Sequence, residues 1–197
     1  MTPRRRNGRG LPPLLPRRAT GGGAALGLKG ETASRTVMLA RISLFTSFAV
    51  AGSFIQLPSP VSSVALDSVS GYFVAMNFGE VEGASVLFAG HLATAVVHGF
   101  PLGVLHFPIA AGLALQGVIM ARVSRAFGRL ASTCVGVAIN TALTAVVIPF
   151  LGVGAAITFL PFIFVASLIN GGVAYVVSGS LARAGLMERI RGAGIRR

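Results

Sequence analysis

Apolar residues fill six stretches of the chain, at about 36–57, 70–78, 82–97, 102–121, 130–150 and 155–181, with short polar, Gly- or Pro-containing breaks between them. A helix that crosses a bilayer needs about 20 predominantly apolar residues, and four of the six stretches reach that length. The second and third are shorter. They must tilt against neighbours, or stop partway and leave irregular backbone lining a cavity. The pattern predicts an all-α fold, a polytopic membrane helix bundle of about six transmembrane helices.

What flanks the stretches divides the chain into three parts. Residues 1–35 are rich in Arg, Gly and Pro and hold too little apolar surface to offset the entropy of ordering, so they are expected to be a disordered basic arm. Residues 36–183 are the membrane domain, and 184–197 form a basic tail.

Composition sharpens this picture. The chain of 197 residues is 53% hydrophobic and only 11% charged, with a mean hydropathy of +0.78. A water-facing surface needs about a quarter charged residues. No Lys or Arg occurs between Arg41 and Arg122, and beyond Val37 the acids are Asp67, Glu80, Glu82 and Glu188. Such a chain is solvated by lipid. The formal charge of +12 would suggest nucleic acid if read alone. Its placement points elsewhere, because the cations gather in the arm, in one short loop (Arg122, Arg125, Arg129) and in the tail. With the N-terminus inside and six crossings, the outer loops near 58–69, 98–101 and 150–154 carry no Lys or Arg, and the inner loops and both termini carry nearly all of them. The positive-inside rule therefore predicts a multi-pass plasma-membrane protein with both termini cytoplasmic, whose partner is the bilayer and not nucleic acid. A signal peptide ending at Ala49-Val50-Ala51 is disfavoured, since the basic region is too long and the apolar run continues through Phe54 and Ile55.

Motifs for chemistry are sparse. Cys134 is the single cysteine and reads as a small buried hydrophobe. His91, His98 and His106 are seven and eight residues apart, without metal-ligand spacing. Nucleophile-elbow, zinc-protease and phosphate-loop motifs are missing from the sequence, so no cofactor, no metal and no enzymatic activity are expected. Glu80 and Glu82 flank a tight inner turn, where they are expected to cap the third helix.

Polar groups at membrane depth are costly and mark function or interhelical bonding. His91, Asn140, Asn170, Asn77 and Gln116 lie within the apolar stretches, and His98 and His106 flank the turn Gly99-Phe100-Pro101-Leu102-Gly103. The segment Leu57-Pro58-Ser59-Pro60-Val61-Ser62-Ser63-Val64-Ala65-Leu66-Asp67-Ser68 carries two prolines that deny it a helix start, yet is apolar enough to fold back on the bundle. Its hydroxyls and carboxylate suit the lid or wall of an outward-facing cavity. In the first helix Ser43, Ser47 and Ala51 recur every four positions and form a flat groove for close helix approach.

The string from Pro58 to Ser68, with Gly71-Tyr72-Phe73, Gly90-His91-Leu92 and Gly99-Phe100-Pro101-Leu102-Gly103, resembles the S components of energy-coupling factor (ECF) vitamin transporters, closest to the group assigned to cobalamin-precursor (alpha-ribazole) uptake. The resemblance covers about residues 37–180. It implies a substrate-binding membrane subunit that captures a vitamin-like molecule from outside and docks on a transmembrane T subunit carrying two cytoplasmic ATPases. Ser63, Asp67, Tyr72, His91, His98, His106, Asn140 and Asn170 are then the candidate substrate-binding residues, and Ser43, Ser47 and Ala51 the candidate partner-binding face. Two serines stand where alanine is usual in that family. The membrane portion offers no fixed cation, which favours a neutral, hydroxyl-bearing ligand over a carboxylate. Two other readings remain open from sequence: a small membrane enzyme using His and Asp as acid–base partners, and a scaffold without a ligand.

Overall fold

The computed structural model describes residues 22–59 and 64–192, with side chains described for 34–59 and 64–190. Ser63 and residues 1–21 of the basic arm lie outside the described residues. The described chain is all-helical: α1 (Gly22–Ser53), α2 (Val69–Asn77), α3 (Glu80–Val97), α4 (His106–Ala142), α5 (Ile148–Arg183) and α6 (Leu186–Gly192), with short 3-10 turns at Gly103–Leu105 and Leu143–Val147. Three stretches among the described residues are long and apolar enough to cross a membrane: Ser34–Ser53, Glu80–Val97 and Gly103–Arg183.

The last of these is not one rod. At Gly128 (φ 86°, ψ 173°) and again at Gly152 (φ 81°, ψ 168°) the backbone leaves helical geometry, in a region open to glycine and closed to residues with a Cβ. At each point the chain turns back on itself. Ser132 donates to the Met120 carbonyl at 2.8 Å, and Gly136 faces the Met120 thioether, so the two halves of α4 pack antiparallel about Gly128. Arg129 donates to the Ser178 carbonyl at 2.6 Å, and Gly171 packs against Thr133 and Val137, which makes the second hairpin about Gly152. The region 103–183 therefore contributes three antiparallel helical passes.

The remaining passes follow the same alternation. Gly83 sits on Ala75 and Gly71 on Leu87, so α2 and α3 are antiparallel. Gly117 packs on Gly83 and Ala84, and His106 meets His91, so α3 and the first half of α4 are antiparallel. Arg41 pairs with Glu82 at 3.1 Å, and Gly90 lies against Ala49, so α1 runs parallel to α3. The core centres on α2, whose Tyr72, Phe73, Val74, Ala75 and Met76 are buried among Val86, Leu87, Leu113, Met120 and Ala174. A nine-residue helix wrapped by its neighbours needs no lipid-length apolar run of its own.

The arginines of the described residues gather at one end of this bundle. Glu80 is paired with both Arg122 and Arg125, Arg41 with Glu82, and Arg41 also stacks over Phe78 at 4.7 Å. Glu80 and Glu82 do occupy the first turn of α3, but their partners are arginines of other passes, and the N-cap residue is Gly79. The opposite end holds the α1–α2 loop, the turn at 98–105 and the turn at 143–152, none of which contains Lys or Arg.

Helix α1 begins at Gly22, so residues 22–35 are helical where their composition predicts disorder. A helix nucleated by the apolar span extends through Ala24, Ala25, Leu26 and Leu28 at little further cost. In the same way residues 186–192 of the basic tail form α6, which buries Met187 against the core cluster.

Candidate functional site

The α1–α2 loop folds back on the bundle. Leu57 N–H donates to Val64 at 2.9 Å and Leu66 N–H to Ile55 at 3.2 Å, closing a short antiparallel pairing around Gln56 and Ala65. Asn170 of α5 fastens it from below, its Nδ2 donating to the Ala65 carbonyl at 3.1 Å and to the Ala166 carbonyl at 2.8 Å. Carbonyl oxygens only accept, so this pair of bonds fixes which end of the amide is nitrogen. Asn170 Oδ1 is then a buried acceptor with no partner among the described residues.

Behind the loop lies a cavity of about 90 Å³, lined by Asp67 and Ser68 of the loop, His91 of α3, Asn140 of α4 and Asn170 of α5, with Val64, Leu102, Ile109, Leu113 and Ile163 as its apolar wall. A second cavity of about 70 Å³ adjoins it and shares Val64, Leu102, Ile109, Asn140 and Ile163; Ser59, Thr144, Phe159 and Phe162 extend it. Thr144 Oγ1 is a second buried polar atom without a partner among the described residues.

Asp67 sets the electrostatics. Its carboxylate accepts from the Ser68 hydroxyl at 3.1 Å, and Oδ2 lies 4.0 Å from His91 Nδ1. Burial pushes its pKa up from 3.8 to about 6, and the hydrogen bonds around it pull the other way. A carboxylate so perturbed in a cavity wall makes Asp67 a candidate functional residue.

Of the residues expected to bind substrate, the structure brings Asp67, His91, Asn140 and Asn170 to one cavity. His106 stands behind His91, Nδ1 to Nε2 at 3.1 Å. Tyr72 lies in the core and not among the lining residues; its hydroxyl donates to the Gly136 carbonyl at 3.0 Å and faces Gln116, Asn140 and Ser167. His98 sits apart, bonded to Ser53 at 3.0 Å and Gln56 at 3.4 Å and packed on Phe54. Asn77 ties α2 to α5 through Ser178 at 2.7 Å, an interhelical bond rather than a lining group. Ser43, Ser47 and Ala51 are exposed with Leu39, Leu44 and Phe48 on the outer face of α1. Sequence reasoning does not single out Thr144, Phe159 or Phe162, which carry no motif and become visible only when the two hairpins fold together. Cys134 is exposed, not buried, because its side of the helix faces outward.

Comparison of the chain with protein-family models, curated proteins and solved structures finds no match.

Proposed function

We propose that this protein is the substrate-binding membrane subunit of an ECF-type transporter, and that it captures a neutral, hydroxyl-bearing vitamin or vitamin precursor such as alpha-ribazole from the outer side. One observation carries the reading: a polar cavity, with a carboxylate and an orphaned amide oxygen in its wall, lies at the arginine-free end of an otherwise apolar bundle. Buried acceptors without partners are expensive, and a guest that donates hydrogen bonds relieves the cost. Among the described residues the wall holds no Lys or Arg to neutralise a carboxylate ligand. Sites for small molecules typically measure about 300–1,000 Å³. A nucleoside-sized guest would therefore merge the two cavities, displacing the shared side chains of Val64, Leu102 and Asn140.

Uptake needs an energy source, and the sequence supplies no ATP-binding motif. The transmembrane T subunit and its two ATPases would supply it, docked on the α1 face of Ser43, Ser47 and Ala51, where small side chains admit a neighbouring helix. Six crossings would place both termini in the cytoplasm. In a Cys134→Ser background, Ala126→Cys at an exposed position is expected to react with a membrane-impermeant thiol reagent only in inverted vesicles, and Val104→Cys only in intact cells. The opposite labelling would reverse the orientation.

The function is tested by titrating alpha-ribazole into the purified chain in nanodiscs. Binding is expected, weakened at least about tenfold by Asp67→Ala and by Asn140→Ala; variants that bind like the parent would refute the site. Acid–base chemistry by Asp67 and His91 is the second reading, favoured by their 4.0 Å approach. Recovery of chemically unchanged ligand would count against it.

A further inference from the structure

The hydrogen-bond chain behind the cavity has a direction that the backbone imposes. The turn at 98–103 is strained: Phe100 adopts φ +52°, unfavourable for a residue with a Cβ. It is held by Phe100 N–H to the Ala95 carbonyl at 2.7 Å and Gly103 N–H to the Phe100 carbonyl at 2.8 Å. Its product is the placement of the Leu102 N–H, which donates to His106 Nε2 at 3.3 Å. An imidazole nitrogen that accepts carries no proton, so the proton of His106 is on Nδ1. That Nδ1–H faces His91 Nε2 at 3.1 Å, and the His91 nitrogen must in turn accept. The remaining proton of His91 is thereby on Nδ1, the atom 4.0 Å from Asp67 Oδ2 at the cavity wall. Packing holds the relay in register: His106 is 1% exposed, and its ring meets Phe100 edge-on at 5.5 Å.

We infer that His106 is a positioning residue that fixes the His91 tautomer, so that the site presents a donor (His91 Nδ1–H) beside an acceptor (the Asp67 carboxyl), a pair spaced to be bridged by a ligand hydroxyl. Four ångströms is too long for a direct hydrogen bond between them, and a hydroxyl can accept from one while donating to the other. An ether or a methylated oxygen can only accept, and a carboxylate brings a second negative charge to Asp67. The ligand feature read here is a free hydroxyl, as on a sugar. This specificity rests on the binding function proposed above; the tautomer does not.

Nitrogen-15 NMR of histidine-labelled protein in nanodiscs measures the tautomer without any ligand. The expected spectrum has His91 protonated at Nδ1 and bare at Nε2, and His106 likewise. Protonation of His91 at Nε2, or at both nitrogens, would overturn the inference. His106→Asn keeps an amide donor where Nδ1–H stood and should retain the His91 tautomer; His106→Leu should release it to a mixture. An unchanged His91 spectrum in His106→Leu would also overturn it. Alpha-ribazole and its ribose-O-methylated analogue serve as binding probes. His106→Leu should weaken alpha-ribazole about tenfold, with His106→Asn close to the parent and the methylated analogue insensitive to either change. Should alpha-ribazole fail to bind while the tautomers are as expected, the relay stands and the proposed ligand falls.

Discussion

Replacing Asp67 by Asn is expected to strengthen the fold and weaken the function. The sign follows from protonation. In the unfolded chain the carboxyl titrates at 3.8, and in the folded chain burial moves it to about 6. A raised acid pKa means that the folded state prefers the proton, so the group costs stability wherever folding must hold the anion. Well below the unfolded value of 3.8 both states are protonated and the cost vanishes; it grows between 3.8 and about 6 and is fully present above. A shift of this size corresponds to about 3 kcal/mol. The substituted amide carries no charge at any pH and can still accept from Ser68. Asp67→Asn should therefore unfold at higher denaturant or temperature than the parent at about pH 7.5, by about 2–3 kcal/mol, and converge with it below about pH 3. The same change removes a charged acceptor from the cavity, so ligand binding should fall by about 10- to 100-fold. Equal stability of the two proteins above neutral pH would show that the carboxylate is well solvated.

The second large effect concerns packing at Gly117. Helices α2, α3 and α4 approach through glycine: a Cβ on Gly117 would fall 2.7 Å from Ala84 N and 2.8 Å from the Gly83 carbonyl carbon, and one on Gly83 would fall 2.6 Å from Ala75 Cα. These neighbours are backbone atoms and cannot turn aside. In lipid, close approach of small residues is a main source of helix association. Gly117→Val is expected to cost about 3 kcal/mol or more, measured by unfolding in detergent, since overpacking forces whole helices apart. It should also disturb the site, because α3 carries His91 and α4 carries His106. Gly172→Val, with nothing within 4 Å of its Cβ, is the control and should lie within about 1 kcal/mol of the parent. Similar losses at both positions would mean that the helices are not packed in this register.

The passes are legible in the sequence because lipid leaves few choices: a segment without charges becomes a helix, and a break containing Gly or charge becomes a turn. Gly128 falls within the basic loop expected at 122–129, and Gly152 within the outer turn expected at 150–154. The helical state of residues 22–35 is not legible, since composition argues for disorder and only the adjoining span supplies a nucleus. In the site, Asp67, Asn140 and Asn170 stand out as polar groups in apolar surroundings. Their relations do not. His91 and His106 are 15 residues apart and meet only because the strained turn at Phe100 returns the chain at one register. Arg41 with Glu82, and Asn170 with Ala65, likewise depend on which faces of distant segments are opposed.

The most direct measurement is native mass spectrometry of the full chain, extracted in lipid nanodiscs without added ligand. The proposed function predicts one additional small molecule bound per chain, neutral, rich in hydroxyls and recovered unchanged, and absent from Asp67→Ala prepared in parallel. A chain that carries nothing but lipid, or that carries the same molecule with Asp67 removed, would contradict it.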